Sequence, residues 1–217
     1  MPRSDPDRRV QAGAPPVPKP WPDDPRLDPK LLAEGDRRNV ADRYRYWRHE
    51  AIVADLDARR HPFHVAVENW IRDPNIGAVV RNANAFLAAA VHIVGRHRWN
   101  RRGAMMTERY QHVYHHARLE DLLEMARGAG LEVIAVDNVP GAERIDRAEI
   151  PRACLMVFGQ EGPGVSEAVL AAASRVLAIP QWGSTRSINA GAASAIAMYE
   201  WARRHAGPVP EECGWAR

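Results

Sequence analysis

Lysine is almost missing from this chain of 217 residues: only Lys19 and Lys30 are lysine, and the other 28 of its 30 basic residues are arginine. Cysteine is equally sparse. Cys154 and Cys213 stand far apart, so neither a disulfide framework nor a cysteine zinc site is expected. Cys154, within the apolar run Ala-Cys-Leu-Met-Val-Phe, reads as a buried core thiol. No apolar stretch approaches the roughly 20 residues that span a bilayer, and no signal-peptide pattern opens the chain. A cytoplasmic protein with no membrane partner is expected. A dominant charge is also lacking, since the formal net charge is only +3. What is unusual is the kind of cation. Guanidinium forks bind phosphate bidentately and stack on bases, which suits a nucleic-acid partner, although an arginine-biased genome would write the same composition.

With 46% hydrophobic and 26% charged residues, the chain can bury an ordinary globular core. Residues 1–35 look like a disordered tail: nine prolines fall within the first 30 positions among many charges, leaving too little apolar surface to offset chain entropy. Residues 36–60 form an arginine-rich region, read as a helix from about 36 to 58. Val40, Tyr44, Trp47, Ala51 and Ala54 recur at three- and four-residue steps, with Arg37, Arg38, Arg43, Arg45 and Arg48 between them. From 61 to 207 short apolar runs alternate with helical stretches. Strands are predicted at 64–70, 90–95, 131–137, 153–159 and 175–180, and helices at 75–89, 119–128, 166–173 and 187–204, with Ser166 a plausible cap. Continuous apolar strands separated by helices imply a parallel sheet covered on both faces, an α/β fold. Residues 208–217 form a short tail.

Three segments concentrate polar residues where strands hand over to helices. The first is Glu68-Asn69-Trp70 with Asp73-Pro74-Asn75-Ile76-Gly77-Ala78-Val79-Val80-Arg81-Asn82. Here Asn75 stands at a strand-to-helix turn, able to cap the helix or meet a ligand. Arg81 is a lone cation among Ala, Val and Ile, where a charge needs a partner or a ligand. The second is Leu155-Met156-Val157-Phe158-Gly159-Gln160-Glu161-Gly162-Pro163-Gly164. Its glycines allow close backbone approach by a ligand, but their spacing is not the dinucleotide fingerprint. The third is Ile179-Pro180-Gln181-Trp182-Gly183-Ser184-Thr185-Arg186-Ser187-Ile188-Asn189-Ala190-Gly191-Ala192, a polar loop entering a helix of small residues. Ser187 could cap that helix, with Asn189 in its first turn.

In this order and spacing the three segments resemble the motifs of the SPOUT superfamily, in its TrmH/SpoU branch of RNA ribose methyltransferases, from about His64 to His205. The resemblance implies a sheet whose C-terminal part is tied in a deep trefoil knot, a rare exception to unthreaded chains. It also implies a homodimer and S-adenosylmethionine bound within the knot, with no metal. Gly159, Ile179 and Ile188 match cofactor contacts made chiefly through backbone, Val136 matches a further wall, and Gly162, Ser187 and Asn189 complete that pocket. Arg81 matches the arginine of the reaction centre, and Asn75, Glu161 and Asn189 match the polar positions around it. Two departures stand out. Leu87 replaces the usual Gly after Ala-Phe, and Ala190-Gly191 replaces Val-Ser in the last motif. The implied function is transfer of methyl to a ribose 2′-hydroxyl of tRNA or rRNA. The alternative is a non-catalytic RNA-binding relative of the same fold, motivated by the Ala190-Gly191 departure.

The segment 96–118 carries six Arg and four His against one acid, Glu108, with Trp99, Tyr110 and Tyr114 interleaved. Cations for phosphate beside aromatic faces for unstacked bases suit an RNA-contacting loop, and Arg96, Arg98, Arg101, Arg102 and Arg109 are its candidate RNA-binding residues. His112, His115 and His116 lack the Cys or carboxylate set that would complete a metal site.

Overall fold

A computed structural model describes residues 13–70 and 75–208. The terminal parts of both expected tails, with Cys213, and Asp73 and Pro74 of the first motif lie outside the described residues. The described residues divide into two compact units, 13–55 and 56–208.

In the first unit the proline-rich stretch is not a loose tail from residue 13 onward. Ala14 pairs antiparallel with Asp36, and Leu27 with Trp47. Pro29–Glu34 is a short helix, α1, capped by Asp28. The anchor is the buried Asp36 carboxylate, which accepts from Arg38 N (2.9 Å), Arg38 Nε (2.9 Å), Arg38 Nη2 (2.7 Å) and Tyr46 N (2.9 Å). Burial pushes this carboxyl up, but the bonds from Arg38 and Tyr46 outweigh it and hold the pKa at about 2. The long helix predicted over 36–58 is likewise corrected: only a 3-10 turn at Asp42–Tyr44 and α2, His49–Asp57, are helical. Tyr46 sits at φ +64°, a left-handed backbone that a helix cannot contain. The expected basic face is partly consumed internally, Arg38 on Asp36 and Arg45 on Asp42.

The second unit is built on a seven-stranded, all-parallel sheet. Its strands are β1 His61–Glu68, β2 Ala88–Val94, β3 Val113–His116, β4 Glu132–Val136, β5 Glu143–Arg144, β6 Cys154–Phe158 and β7 Arg175–Ala178. Their spatial order is β3-β2-β1-β6-β4-β7-β5. The helices are α3 Ile76–Ala85, α4 Leu119–Gly128, α5 Glu167–Ala172 and α6 Ala190–His205. The sheet period of two sorts the core. Val65, Val67, Met156 and Phe158 pack with Ile76, Val79 and Val80 of α3 and Ala197, Met198 and Trp201 of α6. Ala66, Leu155 and Val157 face Leu122 and Ala126 of α4 and Val169 of α5. Both faces are therefore covered, which is why the central strands are continuous apolar runs. Cys154 is a core residue of β6, and burial pushes its thiol pKa up to about 12.

Two boundaries move relative to expectation. The last helix begins at Ala190, with Asn189 as its cap accepting from Ala192 N at 3.2 Å, so Ser187 stays in the preceding loop. The segment 96–118 is a loop only in its first part, because Val113–His116 joins the sheet edge as β3.

Three histidines cross the β1-β2-β3 side of the sheet. His64 Nδ1 lies 2.9 Å from His92 Nε2, and His92 Nδ1 lies 2.9 Å from His116 Nε2. Cross-strand diagonals of this kind put ring on ring, with centroids 5.2 and 5.1 Å apart. His92 is 2% exposed, and burial, reinforced by its two neighbours, depresses its pKa to about 3. Burial lowers His64 and His116 as well. The folded state thus prefers neutral imidazoles, while the unfolded chain takes up protons below about 6.5. The stability this contributes is complete above that pH and is lost as pH falls from about 6.5 toward 3. Urea unfolding below about pH 6.5 is expected to show stability declining by up to about 1.4 kcal/mol per pH unit from His92. A His92→Leu protein should show a shallower decline, and an identical slope would remove His92 from the account.

Candidate active site

All strands of a parallel sheet end on one edge, and ligand clefts form there. Beyond the ends of β6, β4 and β7 lies a cavity of about 480 Å³, walled by the loops at 137–139, 159–164 and 179–190. Val136, Gly159, Gly162, Ile179, Ser187, Ile188 and Asn189, the seven positions expected to hold a cofactor, all line it. Its apolar part includes Val136, Val139, Phe158, Ile179, Ile188 and Ala193.

Gly159 is obligatory for this geometry. A Cβ there would sit 2.0 Å from the carbonyl carbon of Gly164 and 2.2 Å from Val165 N. That crowding reflects a hairpin in which Gln160 N donates to Gly164 O (3.1 Å) and Gly164 N to Gln160 O (3.0 Å). Gly162 and Gly164 take φ of +98° and +74°, the left-handed region that favours glycine. Two carboxylates anchor the hairpin. Asp137 Oδ2 accepts from Val165 N at 2.8 Å, and the buried Glu68 accepts from Ser166 N (2.8 Å) and Trp70 Nε1 (2.9 Å).

The three motifs meet at one amide. Asn75 Nδ2 donates to Glu161 Oε2 at 2.9 Å, and Asn75 Oδ1 accepts from Asn189 Nδ2 at 2.7 Å. Asn75 makes no side-chain cap to α3; its amide is engaged between the other two motifs. Two turns further along, Asn82 Nδ2 donates to Gly191 O (2.8 Å) and Ser194 Oγ (3.0 Å), locking α3 onto α6. Gly191 is required at that contact, since a Cβ would fall 2.9 Å from Ala78 Cβ.

Of the four expected catalytic residues, Asn75, Glu161 and Asn189 are brought together and Arg81 is not. Arg81 is exposed on α3, outside the lining of the cavity, and makes no ion pair among the described residues. The partner that its apolar neighbours seemed to demand is unnecessary, because solvent reaches the guanidinium. Arg186, a residue the sequence reading passed over, supplies the one cation of the lining. Its only signal was its place beside Ser187 in the third motif.

A second cavity, about 530 Å³, opens at the ends of β2 and β3 and is lined by Arg96, His97, Arg98, Trp99, Arg101 and His115. Arg96, Arg98, Arg101, Arg102 and Arg109 are all exposed. The loop is pinned to the neighbouring strand end by Asn69 Nδ2, which donates to His97 O at 2.7 Å. It is also pinned to α3, where Gly77 and Gly103 approach so closely that a Cβ on Gly77 would lie 2.7 Å from Gly103 Cα.

The chain is similar in sequence and in fold to known proteins. The tRNA (guanosine(18)-2'-O)-methyltransferase of Escherichia coli K12 is 28% identical over 158 residues, covering 71% of this chain and 69% of that protein. Among solved structures, the A. aeolicus TrmH/SpoU tRNA modifying enzyme superposes with a TM-score of 0.63 at 18% identity, over 72% of this chain and 81% of that one. The SpoU methyltransferase AviRb from Streptomyces viridochromogenes, solved in complex with AdoMet, superposes with a TM-score of 0.59 at 23% identity, over 71% and 62%. A family model described as the SpoU rRNA Methylase family matches residues 62–199, a span that holds all three motifs and both cavities, and the chain belongs to that family.

Proposed function

We propose that this protein transfers the methyl group of S-adenosylmethionine to a ribose 2′-hydroxyl of tRNA or rRNA. The observation that carries this reading is the Glu161–Asn75–Asn189 chain, which joins all three motifs at a cavity of cofactor size. Small-molecule sites run from about 300 to 1,000 Å³ with mainly apolar walls and a few fixed polar groups. The 480 Å³ cavity falls in that size range, with walls in which polar groups and main chain share the lining with apolar side chains. The Gly159–Gly164 crossing leaves main chain exposed for a ligand to approach. Val136, Gly159, Gly162, Ile179, Ser187, Ile188 and Asn189 would hold the cofactor, which supplies an electrophilic methyl and needs no metal.

The protein's own task is then orientation, which can contribute about 7–11 kcal/mol to such a reaction. Asn75, Glu161 and Asn189 fix the loops that face the nucleotide. Arg81 grips a phosphate or the developing alkoxide: a guanidinium stays protonated and cannot act as a base, so the proton leaves to phosphate or water. Its exposed position on α3 suits contact with the RNA backbone rather than with the cofactor. Arg96, Arg98, Arg101, Arg102 and Arg109 extend the phosphate-binding surface. The catalytic reading is preferred to that of a non-catalytic relative, because Gly191, whose departure motivated the latter, has a packing role against Ala78.

The same proposal includes the trefoil knot, a homodimer and a cytoplasmic setting. The knot is supported by a strand order that inserts β6 between β1 and β4, and by the 159–164 and 179–190 loops closing on one cavity. The dimer is supported by exposed apolar surface on α6, where Ile196 is 39% and Tyr199 56% exposed, and on the preceding loop, where Trp182 is 89% exposed. The cytoplasm is where tRNA and rRNA would be met, and no helix among the described residues is long and apolar enough to cross a membrane.

Nucleoside mass spectrometry of RNA from a deletion strain should show one 2′-O-methylnucleoside lost and then restored by the wild-type gene; an unchanged profile would refute the activity. Arg81→Lys should leave calorimetric affinity for S-adenosylmethionine within about twofold. It should lower kcat/KM about 10- to 100-fold, the loss expected when a bidentate phosphate contact becomes a point charge, and full activity would exclude bidentate gripping. Gly159→Ala should do the opposite. The clash with Gly164 should displace the hairpin and cost about 2–4 kcal/mol, abolishing measurable cofactor binding while the helix content by circular dichroism persists.

A further inference from the structure

The cavity at the ends of β2 and β3 has the chemistry of a nucleotide subsite. Its six lining residues include three arginines, two histidines and one tryptophan, with no carboxylate. Arg96, Arg98 and Arg101 form no ion pair among the described residues, whereas Arg118, Arg144 and Arg203 each pair with an acid. Unpaired guanidinia ringing a concave surface attract an anion that several of them can share. Trp99 adds a flat apolar face. Its indole is half-buried and packed against the main core cluster, so it is a fixed platform rather than a mobile side chain. The Arg101 guanidinium already lies 6.0 Å from the ring centroid, the outer limit for a cation over a π face. A purely phosphate-binding groove has no use for the ring, and a purely apolar pocket has none for three cations. A nucleotide uses both.

We infer that this cavity takes one unstacked nucleotide of a single-stranded RNA segment, with its base on Trp99 and its phosphate among Arg96, Arg98 and Arg101. The placement fits the methyl-transfer reading on which the inference rests. Both cavities open on the same sheet edge, and the strand order puts β1 between β2 and β6, so two to three strand spacings of about 4.8 Å separate them. One RNA strand can span that interval. Asn69, at the end of β1, holds the loop of one cavity through His97 O, and Asn75, just before α3, bonds Glu161 in the lining of the other.

The test compares two fluorescein-labelled RNA oligomers of equal length on the full chain, one with bases and one abasic throughout. Trp99→Ala is expected to weaken the base-bearing oligomer roughly 5- to 150-fold, the range for losing one base–aromatic stack, and to leave the abasic oligomer unchanged. Trp99→Phe should recover most of the loss. Trp99→Leu, which keeps apolar packing without a π face, should not recover it. Arg98→Ala should weaken both oligomers alike and reduce the salt slope of binding by about one. Equal loss of both oligomers in Trp99→Leu, or no loss of either, would overturn the stacking role. Cofactor affinity measured in parallel separates the two levels. Trp99-dependent RNA binding without S-adenosylmethionine binding would leave this subsite standing and remove the methyl-transfer reading. Normal cofactor binding with Trp99-independent RNA binding would do the reverse.

Discussion

The carboxamide of Asn75 is the joint on which the site depends. It is 9% exposed and faces two ways at once, donating to Glu161 in the loop after β6 and accepting from Asn189 at the start of α6. Only an amide offers a donor and an acceptor on one rigid fork. An Asp at this place would set carboxylate against carboxylate, and a Leu would supply neither the donor nor the acceptor. The α3 helix forgoes a side-chain cap from this residue, a contribution of about 1 kcal/mol. A local preference set aside for a contact across more than 80 residues of sequence is the kind of exception that marks functional positions.

From that joint outward, the sheet does the rest. Because every strand is parallel, all loops that carry chemistry leave from one edge, and the strand order decides which become neighbours. The 159–164 and 179–190 loops converge on one cavity, while the 96–101 loop builds a second beside β1. The first is small and closely walled by main chain, the second basic and aromatic. Their separation by charge follows from sequence: three of the arginines cluster between residues 96 and 101, and the glycines of the second motif fall at 159, 162 and 164. In the proposed reading a methyl donor and an anionic polymer make different demands, and one edge would serve both.

How far this was legible beforehand depended on whether a residue's role was local. The apolar runs of β1, β4, β6 and β7 and the periodicity of α4 announced themselves, since burial on both faces leaves few polar positions. The β3 strand did not, because Val-Tyr-His-His at the sheet edge is at most half-buried. The false helix over 36–58 arose because apolar spacing is blind to Asp36, whose buried carboxylate draws Arg38 and Tyr46 into a compact turn. The main chain of the same residue pairs with Ala14 of a proline-rich stretch whose composition suggested no order. In the site, the motif positions around the cavity came from resemblance and landed in its lining, whereas the exposure of Arg81 and the presence of Arg186 could only come from how α3 and the 179–190 loop are placed.

The two departures from the family pattern show why a motif is better read as geometry than as letters. Leu87 stands where glycine is usual, yet its backbone keeps φ at +56°. The turn is preserved at a cost of about 1–2 kcal/mol for a left-handed L residue, partly offset by half-burying the side chain. Its carbonyl still accepts from His61 N at 2.9 Å, so β1 and β2 enter the sheet in register. Gly191 departs in the other direction. It is buried against Ala78 of α3 with no room for a Cβ, and it is absent from the cavity wall, to which its neighbours Ala190 and Ala193 contribute instead. Gly191 lies beside the Asn75 joint, where a Cβ would fall 3.0 Å from Asn189 Oδ1 and 3.9 Å from Asn75 Oδ1, so the bare glycine leaves that joint unobstructed. Both departures alter how the frame is packed rather than what it holds, and the constellation facing the cavity survives them.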